Sequence, residues 1–301
     1  RMQLNFSVQL KTFQRLGYFP ELKNIPSIIT EHIKKCLGIS DAELTPHYDP
    51  KQIKYRHRDR ICDYLKIKRW RKNKNHQENE PNHPGRNFSI QIAYQAAQTM
   101  NNPADIINVV IEELVHHRYE LPPFNQLNDL VKHTRALVNR RIFKQIYQQL
   151  DIDLIRALDD LFIIKPGHNK TGFNNLKRLP KNPTITHFKE LLEHHDWLMS
   201  FGQVENYLVN IAKIKLKQFS VEAKSMDASD YKDMSTHRRY ALIICLIYNA
   251  QRSTKDALAT MFCRTMIKMH RKADEKMILL REQRIDKTKR LLDAFHDVLA
   301  V

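Results

Sequence analysis

Residues 102–143, NPADIINVVIEELVHHRYELPPFNQLNDLVKHTRALVNRRIF, decide the fold. Asn102 is a helix-capping residue type, and Pro103 suits a first turn, where its missing N–H is not needed. Ile106, Val110 and Leu114 follow at one-turn spacing and so share one helix face. The connection Tyr119-Glu120-Leu121-Pro122-Pro123-Phe124 breaks that helix, and Leu127, Leu130, Val131 and Leu137 resume the period in a second one, basic beyond Lys132. The pattern is helix, short turn, helix. In a helix-turn-helix the first residues of the second helix meet base edges in the major groove. Asn125, Gln126, Asn128 and Lys132 hold that place here, with Arg135, Arg140 and Arg141 farther along. Asn and Gln match the donor and acceptor of adenine. A packed helix pair that binds nothing has the same pattern, so charge must decide.

The charge is concentrated upstream. Residues 51–74, KQIKYRHRDRICDYLKIKRWRKNK, hold eleven Lys or Arg against two Asp, so under a tenth of the chain carries +9 of its formal +17. Lys51, Lys54 and Arg58 recur at helical spacing, where like charges one turn apart cost about 0.2–0.5 kcal/mol per pair. A solvated helix face is the plain reading. Against it stand five arginines and three aromatics, Tyr55, Tyr64 and Trp70, which suit phosphate forks and base stacking. The residues expected to touch nucleic acid in this run are Lys51, Lys54, Arg56, Arg58, Arg60, Lys66, Lys68, Arg69 and Arg71. Residues 165–183 add five cations and no acid, with Lys170, Lys177 and Arg178 as candidate contacts; a solvated linker is the alternative.

The other segments read as helix too. Phe6, Leu10 and Phe13 mark one face before Gly17; Pro26 opens an element carrying Ile29, Ile33, Cys36 and Leu37, stopped by Gly38. Ser40 with Glu43 and Asp49-Pro50 read as the start signals of the basic helix, whose inner face is Ile53, Ile61 and Leu65. Ile92, Tyr94 and Ala97 mark a further helix. Leu191, Leu192, His195 and Leu198 lie in another, closed before Gly202, with helices at 211–226 and 239–251 beyond it. Ser253 and Asp256 then form a capping box for a last helix, with no Pro or Gly between residues 255 and 299. No strand alternation appears, so the expected fold is all-α. The expected organisation is a basic module over 1–72, a polar linker over 73–87, a helix-turn-helix-like module over 88–164, a basic loop over 165–183, and a helical domain over 184–301 ending in a long helix.

A pI of about 9.7 points to nucleic acid or an anionic membrane surface. No apolar run approaches the ~20 residues of a membrane span, so a cytoplasmic nucleic acid is preferred. Cys36, Cys62, Cys245 and Cys263 lack paired spacing and read as reduced thiols. Glu112-Glu113 with His116-His117, and Glu193-His194-His195-Asp196, have metal-binding residue types but not the HExxH order. Phosphate-loop, nucleophile-elbow and dinucleotide motifs are absent, and no catalytic residue, metal ligand or cofactor is assigned within the chain.

The opening LNFSVQLKTFQRLGYFP, the run RHRDRICDYLKIKRW, residues 102–143, and then NNLKRLPKNPTITHFKELLEHHDWL and RRYALIICLIYNAQRSTKDALATMFCRTMIKMHRKA, in that order, resemble the N-terminal region of transposases of the Tn-three family. The resemblance implies binding of double-stranded DNA at the terminal inverted repeats of a bacterial transposon, in the cytoplasm and on the nucleoid. It also implies a metal-dependent DDE-type strand-transfer domain beyond residue 301, leaving this stretch without catalysis or cofactor. The competing readings are a helical RNA-binding scaffold, or an interaction module in which the last helix forms a homodimer.

Overall fold

The computed structural model describes residues 2–39, 51–70, 84–164, 171–178 and 184–299. The secondary structure there is helical, apart from one isolated bridge between Lys68 and Tyr119. The all-α expectation is met. The chain divides into two compact units, residues 1–142 with 211–218, and residues 143–210 with 219–301.

The first unit begins with α1 (Met2–Leu16), which uses two faces. One face carries Leu4 and Val8 into a cluster with Leu22 and with Ile33 of α2 (Ser27–Leu37). The other carries Phe13 into a cluster with Phe19 and with Ile61 and Cys62 of α3 (Lys51–Leu65), flanked by Phe6 and Leu10. The sequence marked only the second face. Leu4 and Val8 escaped because Asn5, Gln9 and Thr12, buried beside them, disguise the apolar period. Gln9 donates from Nε2 to the Pro20 carbonyl at 3.0 Å, and Thr12 donates back to the Val8 carbonyl at 2.7 Å. α2 starts one residue later than expected, with Pro26 as its cap, and ends on Gly38 in the left-handed conformation (φ +66°). Of the residues expected on its inner face, Ile33 is buried, whereas Ile29, Cys36 and Leu37 are exposed. The start signals at Ser40, Glu43 and Asp49-Pro50 lie outside the described residues.

α3 stops at Leu65, within the basic run, where Lys66 turns left-handed (φ +55°). α4 (Pro84–Thr99) and α5 (Pro103–His116) pack together, and the cap at Asn102 is present, its side chain accepting from the Ala104 N–H at 3.2 Å. Because α4 begins at Pro84, residues 84–87 are helix rather than linker. Residues 71–83 lie outside the described part. Ile106, Val110 and Leu114 of α5 join Leu127, Leu130 and Val131 of α6 (Phe124–Tyr147) in one core, as their spacing requires. Leu137 departs from expectation, being 56% exposed.

The second unit contains α7 (Ile152–Asp160), α8 (Gly172–Leu176), α9 (Ile185–Met199) and α11 (Thr236–Leu299), with α10 (Lys213–Ser225) spanning the division. α8 lies in the expected basic loop. Phe173 and Leu176 anchor it in the core, so this part of the loop is not a solvated linker. In α9 His194, and not its neighbour His195, turns inward, and Leu192 is exposed. α11 runs through Ser253 without a break. Ser253 donates to the Ala250 carbonyl at 3.2 Å instead of capping a new helix, so 64 residues form one rod of ~96 Å at 1.5 Å per residue. Its start, from Tyr240 to Tyr248, is buried, and Gln251 donates to the carbonyls of Leu198 and Gly202 at 2.9 and 3.0 Å. From Phe262 to Asp297 every residue is exposed.

Candidate nucleic-acid interface

Two helix ends and the segments after them build the site in the first unit. α3 ends at left-handed Lys66, and α5 is followed by left-handed Arg118 (φ +56°). For a residue with a Cβ this conformation costs about 1–2 kcal/mol, so tertiary contacts must hold it. They do. The Lys68 N–H donates to the Arg118 carbonyl at 2.7 Å, and the Glu120 N–H donates to the Lys68 carbonyl at 2.8 Å. The Leu121 N–H donates to the Gly17 carbonyl at 2.9 Å, tying the end of α1 to the same place. The connection between α5 and α6 is thus seven residues, 117–123, paired along one edge with the end of the basic run. It is longer than the three to four residues of the usual helix-turn-helix.

Ion pairs lock this junction. Arg69 reaches Asp59 of α3 and, at 3.4 Å, Glu120 of the connection. These partners raise its already high pKa despite its burial. Trp70 follows, 3% exposed, its indole N–H donating to Ser89 Oγ of α4 at 2.9 Å. The expected stacking role of Trp70 is therefore corrected: it is a core residue. The polar contact that makes indole burial tolerable is a serine nineteen residues away, which no local pattern shows. Backbone comes so close here that a Cβ on Gly85 would lie 2.7 Å from Trp70 Cα.

The basic run divides by environment. Arg58 donates to the Phe19 carbonyl at 3.4 Å and lies 5.0 Å from the centre of the Phe19 ring, so it stitches α3 to the end of α1. Lys54 is half-buried; Lys51 opens the helix, and Arg71 lies outside the described residues. Arg56, Arg60, Lys66 and Lys68 are exposed, and none has an acidic partner among the described residues. Lys68 lies 5.3 Å from the Tyr119 ring centre. Tyr55 and Tyr64 are 55% and 73% exposed, so they remain free to meet a ligand. Burial pushes the Cys62 thiol up to about 12, while burial and then Arg60 lower His57.

Along α6, Asn125 and Lys132 are exposed and Asn128 is half-buried. Gln126 turns sideways into a groove of about 420 Å³ shared with Trp70 and His133, its Oε1 buried without a partner among the described residues. Arg135 donates to the Asn101 carbonyl at 3.1 Å, Arg141 donates to the Tyr94 hydroxyl at 2.9 Å, and Arg140 is exposed. The reading from sequence missed Lys215. It is wholly buried, donates to Asn139 Oδ1 at 3.2 Å, and is lowered to about 8, first by burial and then by Arg135.

In the second unit, Lys177 contacts the Met226 carbonyl and lies 4.6 Å from the Phe173 ring centre, while Arg178 pairs with Glu190 at 2.6 Å. Lys170 lies outside the described residues. No group of three or more His, Cys, Asp or Glu among the described residues is placed to hold a metal ion. His117 bonds the Glu113 carbonyl at 3.0 Å, and His194 stacks on Trp197, its pKa lowered by burial. No helix among the described residues is long and apolar enough to cross a membrane.

Residues 1–134 match a family model described as a domain of unknown function, DUF4158. The chain is 21% identical over 268 residues to the transposase for transposon Tn1546 of Enterococcus faecium, covering 85% of this chain and 25% of that protein. It is 24% identical over 185 residues to the transposase for transposon Tn501 of Pseudomonas aeruginosa, covering 60% and 18%. To the transposase for transposon Tn2501 of Escherichia coli it is 23% identical over 261 residues, covering 84% and 24%. The chain spans a quarter or less of the length of these curated relatives. Its resemblance is to transposases of the Tn-three family, and it extends over most of the sequence.

Proposed function

We propose that this chain binds the terminal inverted repeats of a transposon as duplex DNA, through the exposed cations of α3 and its following segment and through the first turns of α6. One observation carries the reading: Arg56, Arg60, Lys66 and Lys68 stand in solvent without acidic partners among the described residues, on a segment bonded directly to the connection that leads into α6. Cations of this kind neutralise phosphates and give affinity; the side-chain amides of Asn125 and Asn128 supply base-edge contacts. The interface divides accordingly into a positioning part and a reading part. The modules at 1–72, 88–164 and 184–301 are proposed in the same sense, as the parts that grip successive stretches of DNA. A cytoplasmic, nucleoid-associated location goes with this reading. So does strand transfer by divalent metal in a segment outside residues 1–301.

The test is a titration with fluorescent duplexes carrying the ends of the parent element, a scrambled duplex and a structured RNA as competitors. The expected result is preference for the repeat, with RNA competing weakly. Asn125→Ala and Asn128→Ala should each weaken the cognate complex by about 1–3 kcal/mol and leave random duplex nearly unchanged. RNA competing as well as the repeat would replace this reading with the RNA-binding one.

A further inference from the structure

The second unit holds a cleft of about 970 Å³ between α7, α8 and α9, at the upper end of the ~300–1,000 Å³ typical of ligand sites. The duplex reading makes no use of it. Trp197 lines the cleft, half-buried, with Phe201 edge-on at 5.4 Å. Asn174 and Asn175 line it too, and their side-chain amides have no hydrogen bond among the described residues. Lys177 and Arg178 follow them in the wall, each with N–H donors left beyond its bond to the Met226 carbonyl or to Glu190, and Asp160 lines the cleft as well.

We propose that this cleft binds a nucleoside monophosphate unit, its base on Trp197 and its phosphate toward Lys177 and Arg178. The chemistry selects this class. Stacking on an aromatic face suits any base, and adjacent amides offer the paired donors and acceptors of a base edge. An apolar ligand or helix would leave both amides unpaired, at about 1–3 kcal/mol each. An acidic peptide would use the cations but not the indole. Bases inside a duplex cannot enter, so the ligand is either a free nucleotide or one nucleotide of a single strand.

The two tryptophans make the test direct. Trp70 is 3% exposed in the other unit, so a ligand-dependent change in emission reports Trp197. The full chain is titrated with dAMP and with a ten-residue single-stranded oligodeoxyadenylate. Saturable quenching by both supports the cleft as a nucleotide site; quenching by the oligomer alone supports it as a strand site. Neither probe quenching at millimolar concentration overturns the proposal, and so does equal quenching in Trp197→Phe, which would locate the signal at Trp70. By equilibrium dialysis with labelled dAMP or oligomer, Trp197→Leu should bind about 5- to 150-fold more weakly, the range for removing one stacked base. Asn174 is exposed, and an acid in the first turn of α8 does not harm that helix, so Asn174→Asp should fold. It should bind about tenfold more weakly because its carboxylate repels the phosphate; unchanged affinity in this variant overturns the proposal. Since dAMP has no helix to dock, its binding is independent of whether the first unit binds duplex DNA.

Discussion

The segment after α3 and the segment around α8 both read as basic in the sequence, but the fold treats their cations in opposite ways. Arg56, Arg60, Lys66 and Lys68 are left in water without acids among the described residues, whereas Lys177 and Arg178 are held by a carbonyl, an aromatic ring and Glu190. Charge density alone does not mark an interface. What matters is whether folding brings an acceptor to each cation, and an acceptor such as Glu190, twelve residues from Arg178, is invisible in a local window.

The largest expected effect breaks or keeps this contrast outright. If the basic modules together neutralise about 6–10 phosphates, these four cations among them, duplex affinity falls by ~10³–10⁵ between 50 and 200 mM salt. Replacing Arg56, Arg60, Lys66 and Lys68 together by Ala should flatten the log–log slope by roughly 0.9 for each phosphate no longer neutralised. Replacing Lys177 and Arg178 should leave the slope in place. A nearly flat salt dependence in the unaltered chain would end the duplex-binding reading.

Arg69 tests the contrast from inside the basic run. Its guanidinium sits between Asp59 and Glu120, so Arg69→Ala leaves two partly buried carboxylates facing each other with no cation. The expected loss is about 3 kcal/mol of stability in urea unfolding, given that breaking a buried pair costs about 3–5 and this one is partly solvated. DNA binding should then follow the folded fraction. An Arg69→Ala protein of unchanged stability and steeply reduced affinity would make Arg69 a contact rather than a clamp.

The same dependence on distant partners decides what is legible in the sequence. The α5–α6 core was legible because Ile106, Val110, Leu114, Leu127 and Val131 keep an unbroken period and Asn102-Pro103 is a local signal. The end of α3 was not, because nothing at Lys66 marks a helix stop; the stop depends on Arg118, fifty-two residues on, accepting from the Lys68 N–H. Trp70 and Gln126 look outward by local pattern for the same reason, since their burial depends on α4 and not on their own segment. The continuity of α11 was missed where a capping pattern at Ser253 competed with a helix already held by the Gln251 bonds to Leu198 and Gly202.

Lys215 sharpens the comparison with a third kind of cation, buried and without an acid among the described residues. Burial lowers its pKa to about 8 from an ordinary 10.5, so the unfolded chain binds more protons than the folded one between those values. Stability conferred by this site therefore rises with pH from about 8 to 10.5, and below 8 the full burden of a buried ammonium remains. Lys215→Met keeps the stem and removes the charge. At pH 7 it should be more stable than the parent by on the order of 2 kcal/mol, and the difference should shrink as pH rises through that window. A difference that is constant across pH would mean that burial and Arg135 do not depress the Lys215 ammonium in the folded chain.

The smallest effect expected is at Lys66, where folding and binding should part company. Its backbone is left-handed, which a residue with a Cβ adopts only at a cost, while its ammonium is exposed and unpaired among the described residues. Lys66→Gly relieves the strain, partly offset by the greater freedom of glycine in the unfolded chain, for a net gain of about 0.5–1 kcal/mol. It also removes one cation from the face that meets phosphate. Thermal unfolding should thus move up by a few degrees while the salt slope drops by roughly 0.9. A variant that is more stable and binds duplex with the original slope would place Lys66 off the interface and shift the grip to Arg56, Arg60 and Lys68. One that is less stable would mean that the lysine stem, and not only the backbone, holds the end of α3 against the connection into α6.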